Sequence, residues 1–251
     1  LLKNEQADTT NPEMAPDKKP SYIGHRARLR SKFRDTGLDA FLDHEALELA
    51  LTYAIPRKDT KQLAWALLNR FGSLAAVLDA KPEELRSVEG IGEEAAVFIS
   101  LLRALLRRYF LDELKKKASI TNPEDAVDYC RASLEGEKDE IFEVIYLSTR
   151  NTVPACERLS EGTLDRTAVW PRKVMETALA RRAAAMIFVH NHPSGNPSPS
   201  QEDMALTDEL CRAADVLGLR VYDHIIVGKG SYFSFKVSGI LHAGKDSGSH
   251  Q

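Results

Sequence analysis

The chain has 251 residues, a length that holds one or two domains. Its apolar content of 43% and charged content of 28% are ordinary for a soluble globular protein, and a net charge of −3 offers no basic field for bulk nucleic-acid binding. No apolar run reaches the roughly 18 residues of a membrane span, and Leu1-Leu2-Lys3-Asn4-Glu5-Gln6 lacks the apolar core of a signal peptide. Cys130, Cys156 and Cys211 are widely spaced and odd in number, which fits a reducing compartment and small buried side chains better than a disulfide framework. A cytoplasmic protein with no membrane contact is expected.

Residues 1–20 are polar and carry Pro12, Pro16 and Pro20, the composition of a disordered tail. Residues 21–118 have helical periodicity throughout. Gly24 to Arg34 holds five basic residues around Leu29 and Phe33. A second helix runs from Asp43, read as its N-cap, to Ala54. A third covers Lys58 to Phe71 and stops at Gly72. Short helices follow at Leu74 to Leu78 and Pro82 to Leu85, and a long one begins after Gly92 and reaches at least Leu111. Gly90-Ile91-Gly92 resembles the hairpin of a helix-hairpin-helix motif. Glycines there let backbone N–H groups approach a phosphate, but Glu93 and Glu94 beside them would repel one. DNA contact through residues 21–118 and a plain packing turn therefore both stand as readings, with the basic segment at Gly24–Arg34 as an electrostatic aid to the first. Lys115-Lys116-Lys117 and Asn122-Pro123 mark the junction to residues 119–242.

There the pattern changes to strands alternating with helices, which argues for a sheet flanked by helices. A helix runs from Asn122-Pro123-Glu124-Asp125 to about Leu134. Strands are expected at Glu140–Leu147 and Thr152–Leu159, with a turn at Arg150-Asn151 and a break at Gly162-Thr163-Leu164. Pro171 opens a helix over Val174 to Ala184. Ala183 to Val189 is a continuous apolar run, the mark of a strand buried on both faces. A helix over Met204–Leu217, stopped by Gly218, precedes a strand over Leu219–Val227 and a turn into Tyr232–Phe235. Residues 243–251 form a loose tail.

The chemistry concentrates at His190-Asn191-His192-Pro193-Ser194-Gly195, followed by Ser200-Gln201-Glu202-Asp203. His190 and His192 are two apart at the end of a strand and can face one point. Asp203 falls in the first turn of the next helix. Ser200 and Asp203 also satisfy the spacing of a capping box, and an aspartate is favourable at a helix start for dipole reasons alone. Taken jointly, two imidazoles and one carboxylate make a three-ligand zinc set with a position left for water.

His-x-His, seven residues, then Ser-x-x-Asp is similar to the signature of the JAMM (MPN-type) metalloproteases. The flanking text resembles the RadC family more closely still: His190-Asn191-His192-Pro193-Ser194-Gly195-Asn196, Pro199-Ser200 and Asp223-His224-Ile225-Ile226-Val227-Gly228. The resemblance implies an all-helical helix-hairpin-helix domain followed by a JAMM/MPN α/β/α domain, related to cytidine deaminases, with a mixed sheet. It implies one Zn2+ per chain on His190, His192 and Asp203, and hydrolysis of a peptide or isopeptide bond in a peptide or protein substrate. In the JAMM family a strand-start Glu is the general base and a motif Ser assists the oxyanion. Carried over, the serine is Ser200 and the glutamate is Glu140, with Glu161 and Glu143 as competitors. Glu143 is out of phase with Glu140 along a strand. His224 reads as a hydrogen-bonded core or edge histidine, or as a residue orienting a ligand. His25, His44, His242 and His250 lack ligand spacing and are expected at the surface. Trp170 and Lys173 depart from the family's usual text around Pro171. The family name also carries a DNA-repair association, so the competing function is a DNA-binding accessory protein. Nucleobase deamination is disfavoured because no P-C-x-x-C pair is present.

Overall fold

The computed structural model describes residues 22–161 and 171–241. The expected tails at 1–20 and 243–251, the break at Gly162-Thr163-Leu164, Trp170, His242 and His250 lie outside them. So does the side chain of Glu161. Among the described residues six helices come first: α1 (Tyr22–Thr36), α2 (Asp43–Ala54), α3 (Lys61–Phe71), α4 (Leu74–Asp79), α5 (Pro82–Arg86) and α6 (Glu93–Lys116). They enclose a core that includes Leu47, Leu51, Leu67, Val77, Leu85 and Ile99.

Local chemistry sets the ends of these helices. Glu45 accepts the Leu42 N–H at 3.0 Å, so Leu42 occupies the cap and Asp43 lies inside the first turn rather than capping it. Gly72 closes α3 at φ 89, a left-handed conformation that costs glycine little. Gly90 also has positive φ, and a Cβ there would meet Leu63 at 2.6 Å, so the Gly90-Ile91-Gly92 turn packs tightly on α3. Arg26 of the basic segment is buried and donates to the carbonyls of Ile55, Pro56 and Lys58 at the end of α2. Lys32 pairs with Glu45, which leaves Arg28, Arg30 and Arg34 exposed. Nor is His25 a free surface residue: it is half-buried and sits 2.9 Å from the buried Glu48 carboxylate. His44 is half-buried too, stacked on Trp65.

The second half comprises α7 (Glu124–Leu134), β1 (Ile141–Leu147), β2 (Ala155–Glu161), α8 (Pro171–Ala180), β3 (Ala185–Asn191), α9 (Gln201–Val216), β4 (Arg220–Val227) and β5 (Tyr232–Ser234). The sheet order is β2-β1-β3-β4-β5. β1 is antiparallel to β2 and β3, β3 is parallel to β4, and β4 is antiparallel to β5. The sheet is therefore mixed. The one parallel pair requires a crossover, which α9 provides. One face packs Ile141, Ile145, Ile187 and Val189 with residues of α7 and the end of α6. The other packs Phe142, Val144, Tyr146 and Phe188 with residues of α8 and α9. β1 and β3 are buried along their whole length, which explains why their sequences are continuous apolar runs.

Some boundaries differ from the sequence expectation for identifiable reasons. β2 starts three residues late because Ser148 to Thr152 are consumed by a hydrogen-bonded turn, with Asn151 at φ 55. α8 ends at Ala180 because Ala183 N–H returns to the Ala178 carbonyl while Arg182 takes φ 53. Cys130 is buried, and Cys156 and Cys211 are half-buried. α6 serves both halves: Ala95 and Ile99 sit in the helical core and Leu114 in the sheet core. Among the described residues no helix is long and apolar enough to cross a membrane.

Candidate metal centre

The site forms where β3 leaves the sheet. His190 is the penultimate residue of β3 and faces α9, on the side of Phe142 and Phe188. His192 follows one residue after the strand and turns back beneath the loop. Gly195, at φ 83, makes that return possible, and its N–H reaches the His192 carbonyl. Ser200 caps α9: its hydroxyl accepts the Asp203 N–H at 3.1 Å, and its own N–H donates to Asp203 Oδ2 at 2.7 Å. The cap therefore does more than start a helix. It fixes the Asp203 carboxylate against the two imidazoles, so the capping and ligand readings of this segment are compatible.

Glu140, His190, His192 and Asp203 each offer a donor atom, and these atoms all lie within 4.8 Å of one another. His190 Nε2 is 3.1 Å from His192 Nε2 and 3.1 Å from Asp203 Oδ1. His192 Nε2 is 3.2 Å from Asp203 Oδ2, and Glu140 Oε1 stands off at 3.9 Å from His190 Nε2. Bonds of roughly 2.0–2.1 Å to a shared ion hold neighbouring donors roughly 3.0–3.4 Å apart, depending on coordination. The three inner donors meet that spacing. The chemistry of the donor set agrees with it. His192 Nδ1–H donates to the Asn196 carbonyl at 2.8 Å, so in the neutral ring Nε2 is a lone pair beside another ring nitrogen and a carboxylate, and in the protonated ring Nε2–H donates to Asp203. These four residues can hold a metal ion.

The electrostatics follow from the same contacts. Burial works to raise the Asp203 pKa, but hydrogen bonds with His190, His192 and Ser200 outweigh it and hold the carboxyl far below its usual range. The hydrogen bond to Asp203 raises His192 against the effect of burial. Burial raises Glu140, partly offset by the two histidines. His224 is wholly buried and its pKa is pushed well down, first by burial and then by His190.

The sheet separates two of the three glutamates expected to compete, Glu140 and Glu143. Glu140 lies just ahead of β1, a quarter exposed, at the mouth of the cluster. Glu143 points to the opposite face of the sheet and is engaged by Arg107, Arg158, Tyr129 and Ser133. Glu161 pairs through its backbone with Ile141. Sequence reasoning missed Asn191. Its Oδ1 accepts the Ile141 N–H at 2.9 Å and its Nδ2 donates to the carbonyls of Glu137 and Asp139 at 3.2 and 3.0 Å. Asn191 thus ties the segment carrying Glu140 to the strand carrying His190. Thr207, against His224, was also missed, because a mid-helix threonine gives no signal in a sequence.

Comparison with known proteins places this geometry in a family. A RadC-like JAB domain matches residues 120–240, which contain the whole cluster. A UPF0758 protein of Fusobacterium nucleatum subsp. nucleatum is 42% identical over 225 residues, covering 87% of this chain and 97% of that protein. The chain therefore belongs to the RadC (UPF0758) family and carries that family's JAB-type domain in its second half.

Proposed function

We propose that this protein is a zinc-dependent hydrolase of the JAMM type, a metallopeptidase that cuts a peptide or isopeptide bond. The observation that carries the proposal is one carboxylate, Glu140, standing just outside a tight set of two imidazole nitrogens and a second carboxylate. His190, His192 and Asp203 would hold the ion. When bound, zinc supplies a Lewis acid and lowers the pKa of its water to about 7. Glu140 accepts a proton from the attacking water and returns it to the leaving amine. Its partial burial and raised pKa suit a group that must take up a proton and release it again. The Ser200 hydroxyl donates its one proton to Asp203 Oδ2 at 2.7 Å, and it would have to turn that proton from Asp203 to the developing oxyanion to serve as the donor there.

This reading stands ahead of a DNA accessory role through residues 21–118. Glu93 and Glu94 occupy the first turn of α6, where a backbone phosphate would have to sit, and Arg86 is already paired with Glu93. The test is cleavage profiling of the zinc-loaded protein against a peptide library. Cleavage that disappears with a chelator, and in Glu140→Gln with fold and metal content intact, is the expected result. Absence of any cleavage, together with a salt-sensitive duplex shift lost when the exposed Arg28, Arg30 and Arg34 are replaced by glutamate in a folded protein, would favour the DNA role instead.

A further inference from the structure

Behind the cluster, a chain of hydrogen bonds links two of its members through residues that touch no ion. The Thr207 hydroxyl has two short contacts, 2.6 Å to the backbone carbonyl of Asp203 and 2.6 Å to His224 Nδ1. A hydroxyl has one proton, and a carbonyl oxygen has none to give. The Thr207 proton must therefore lie toward Asp203. The second contact then requires Nδ1–H on His224, donating to the Thr207 oxygen. A neutral His224 protonated at Nδ1 presents a bare Nε2, and this faces His190 Nδ1 at 2.9 Å. His190 must supply that proton, so the neutral His190 ring is left with Nε2 as a lone pair facing His192 and Asp203, the form a metal ion would take.

Packing admits no other path. The His224 ring is stacked on Phe235 and bounded edge-on by Phe142 and Phe188. Among the described residues, its ring nitrogens have no hydrogen-bond partners besides Thr207 and His190. We propose that Thr207 and His224 are positioning residues that set the tautomer of His190, so that its Nε2 is presented to a metal as a lone pair. The relay begins at the backbone of one ligand, Asp203, and ends at the ring of another. A residue that shifts α9 against β4 would therefore change the orientation of both ligands together. His192 is outside the relay, since the Asn196 carbonyl sets its tautomer separately.

The inference rests on the metal reading above, and the experiment separates the two. Zinc affinity is measured by competition with a chromophoric chelator for the full-length wild type, Thr207→Val and Thr207→Ser. Histidine tautomers are read by long-range 1H–15N correlation on the metal-free protein above neutral pH. Valine keeps the size of threonine but removes the acceptor, whereas serine retains it. The relay predicts roughly 10–100-fold weaker zinc binding in Thr207→Val, near-wild-type binding in Thr207→Ser, and a disturbed His190 tautomer beside an unchanged His192. The inference is overturned if folded Thr207→Val binds zinc within about twofold of wild type. It is also overturned if wild-type His190 carries its proton on Nε2. A wild type that binds no zinc removes the hydrolase reading, while the tautomer measurement still judges the relay. Should Thr207→Val fail to fold, His224→Gln, whose amide can accept from His190 and donate to Thr207, is expected to retain zinc where His224→Phe loses it. Equal zinc binding in those two variants also contradicts the relay.

Discussion

Two polar clusters are buried on opposite faces of the same sheet, and they are built on opposite principles. Glu143 on β1 receives hydrogen bonds from Arg107, Arg158, Tyr129 and Ser133, drawn from α6, β2 and α7. All four groups donate to the one carboxylate, so the cluster is complete without an ion and binds three elements to β1. Through the face of α9, His190, His192 and Asp203 bring lone pairs toward one point, with Glu140 beside them. Acceptors there outnumber donors. A buried cluster with matched donors and acceptors is complete as folded, whereas one with surplus acceptors is completed by a cation. Glu140 and Glu143 are three residues apart, yet strand alternation places one in each kind of cluster.

Breaking the closed cluster is expected to have the largest effect on stability. Glu143→Ala leaves Arg107 and Arg158 facing a buried gap and should cost about 3 kcal/mol in urea unfolding. Glu140→Gln, by contrast, should change stability by no more than about 0.5 kcal/mol, because its carboxylate is partly solvated and holds no element in place. If the two variants unfold alike, the distinction between the clusters is wrong. Asn191→Ala comes next. It strips the Ile141 N–H and the Glu137 and Asp139 carbonyls of their partner and should cost about 2 kcal/mol. It should also lower any hydrolytic rate more than it lowers zinc affinity, because it loosens Glu140 rather than a ligand.

The smallest effect is on pH dependence. The folded pKa of His192 is raised, chiefly by Asp203, above its unfolded value of roughly 6.5. The stability this contributes to the metal-free protein is full below that unfolded value and is lost as pH rises through the folded one. Metal must displace the same proton, so zinc affinity should climb over that window by up to about tenfold per pH unit. His192→Ala should abolish the slope along with most of the affinity. A flat profile in the wild type would contradict the proposed role of His192.

The sequence made the cluster of His190, His192 and Asp203 and the sheet legible because both are written in local patterns. His-x-His ends an apolar run, and Ser200 with Asp203 opens a helix. Such features depend on spacing alone. The separation of Glu140 from Glu143 was only half legible, because strand phase puts the two on opposite faces but cannot show what lies across the sheet. Asn191 and Thr207 were not legible at all, since their partners, Glu137 and His224, are far away in the chain. His25 and Arg26 misled for the same reason: a basic stretch looks solvated until Glu48 and the end of α2 are seen to hold two of its members.

The most direct measurement of the central claim is metal content per chain. It is taken on protein purified without chelator and compared with His190→Ala and Asp203→Ala. One zinc per wild-type chain, lost in both folded variants, is the result expected of surplus lone pairs gathered at the end of β3. Wild-type protein that retains no divalent ion even when zinc is supplied, or variants that retain it equally, would contradict the account.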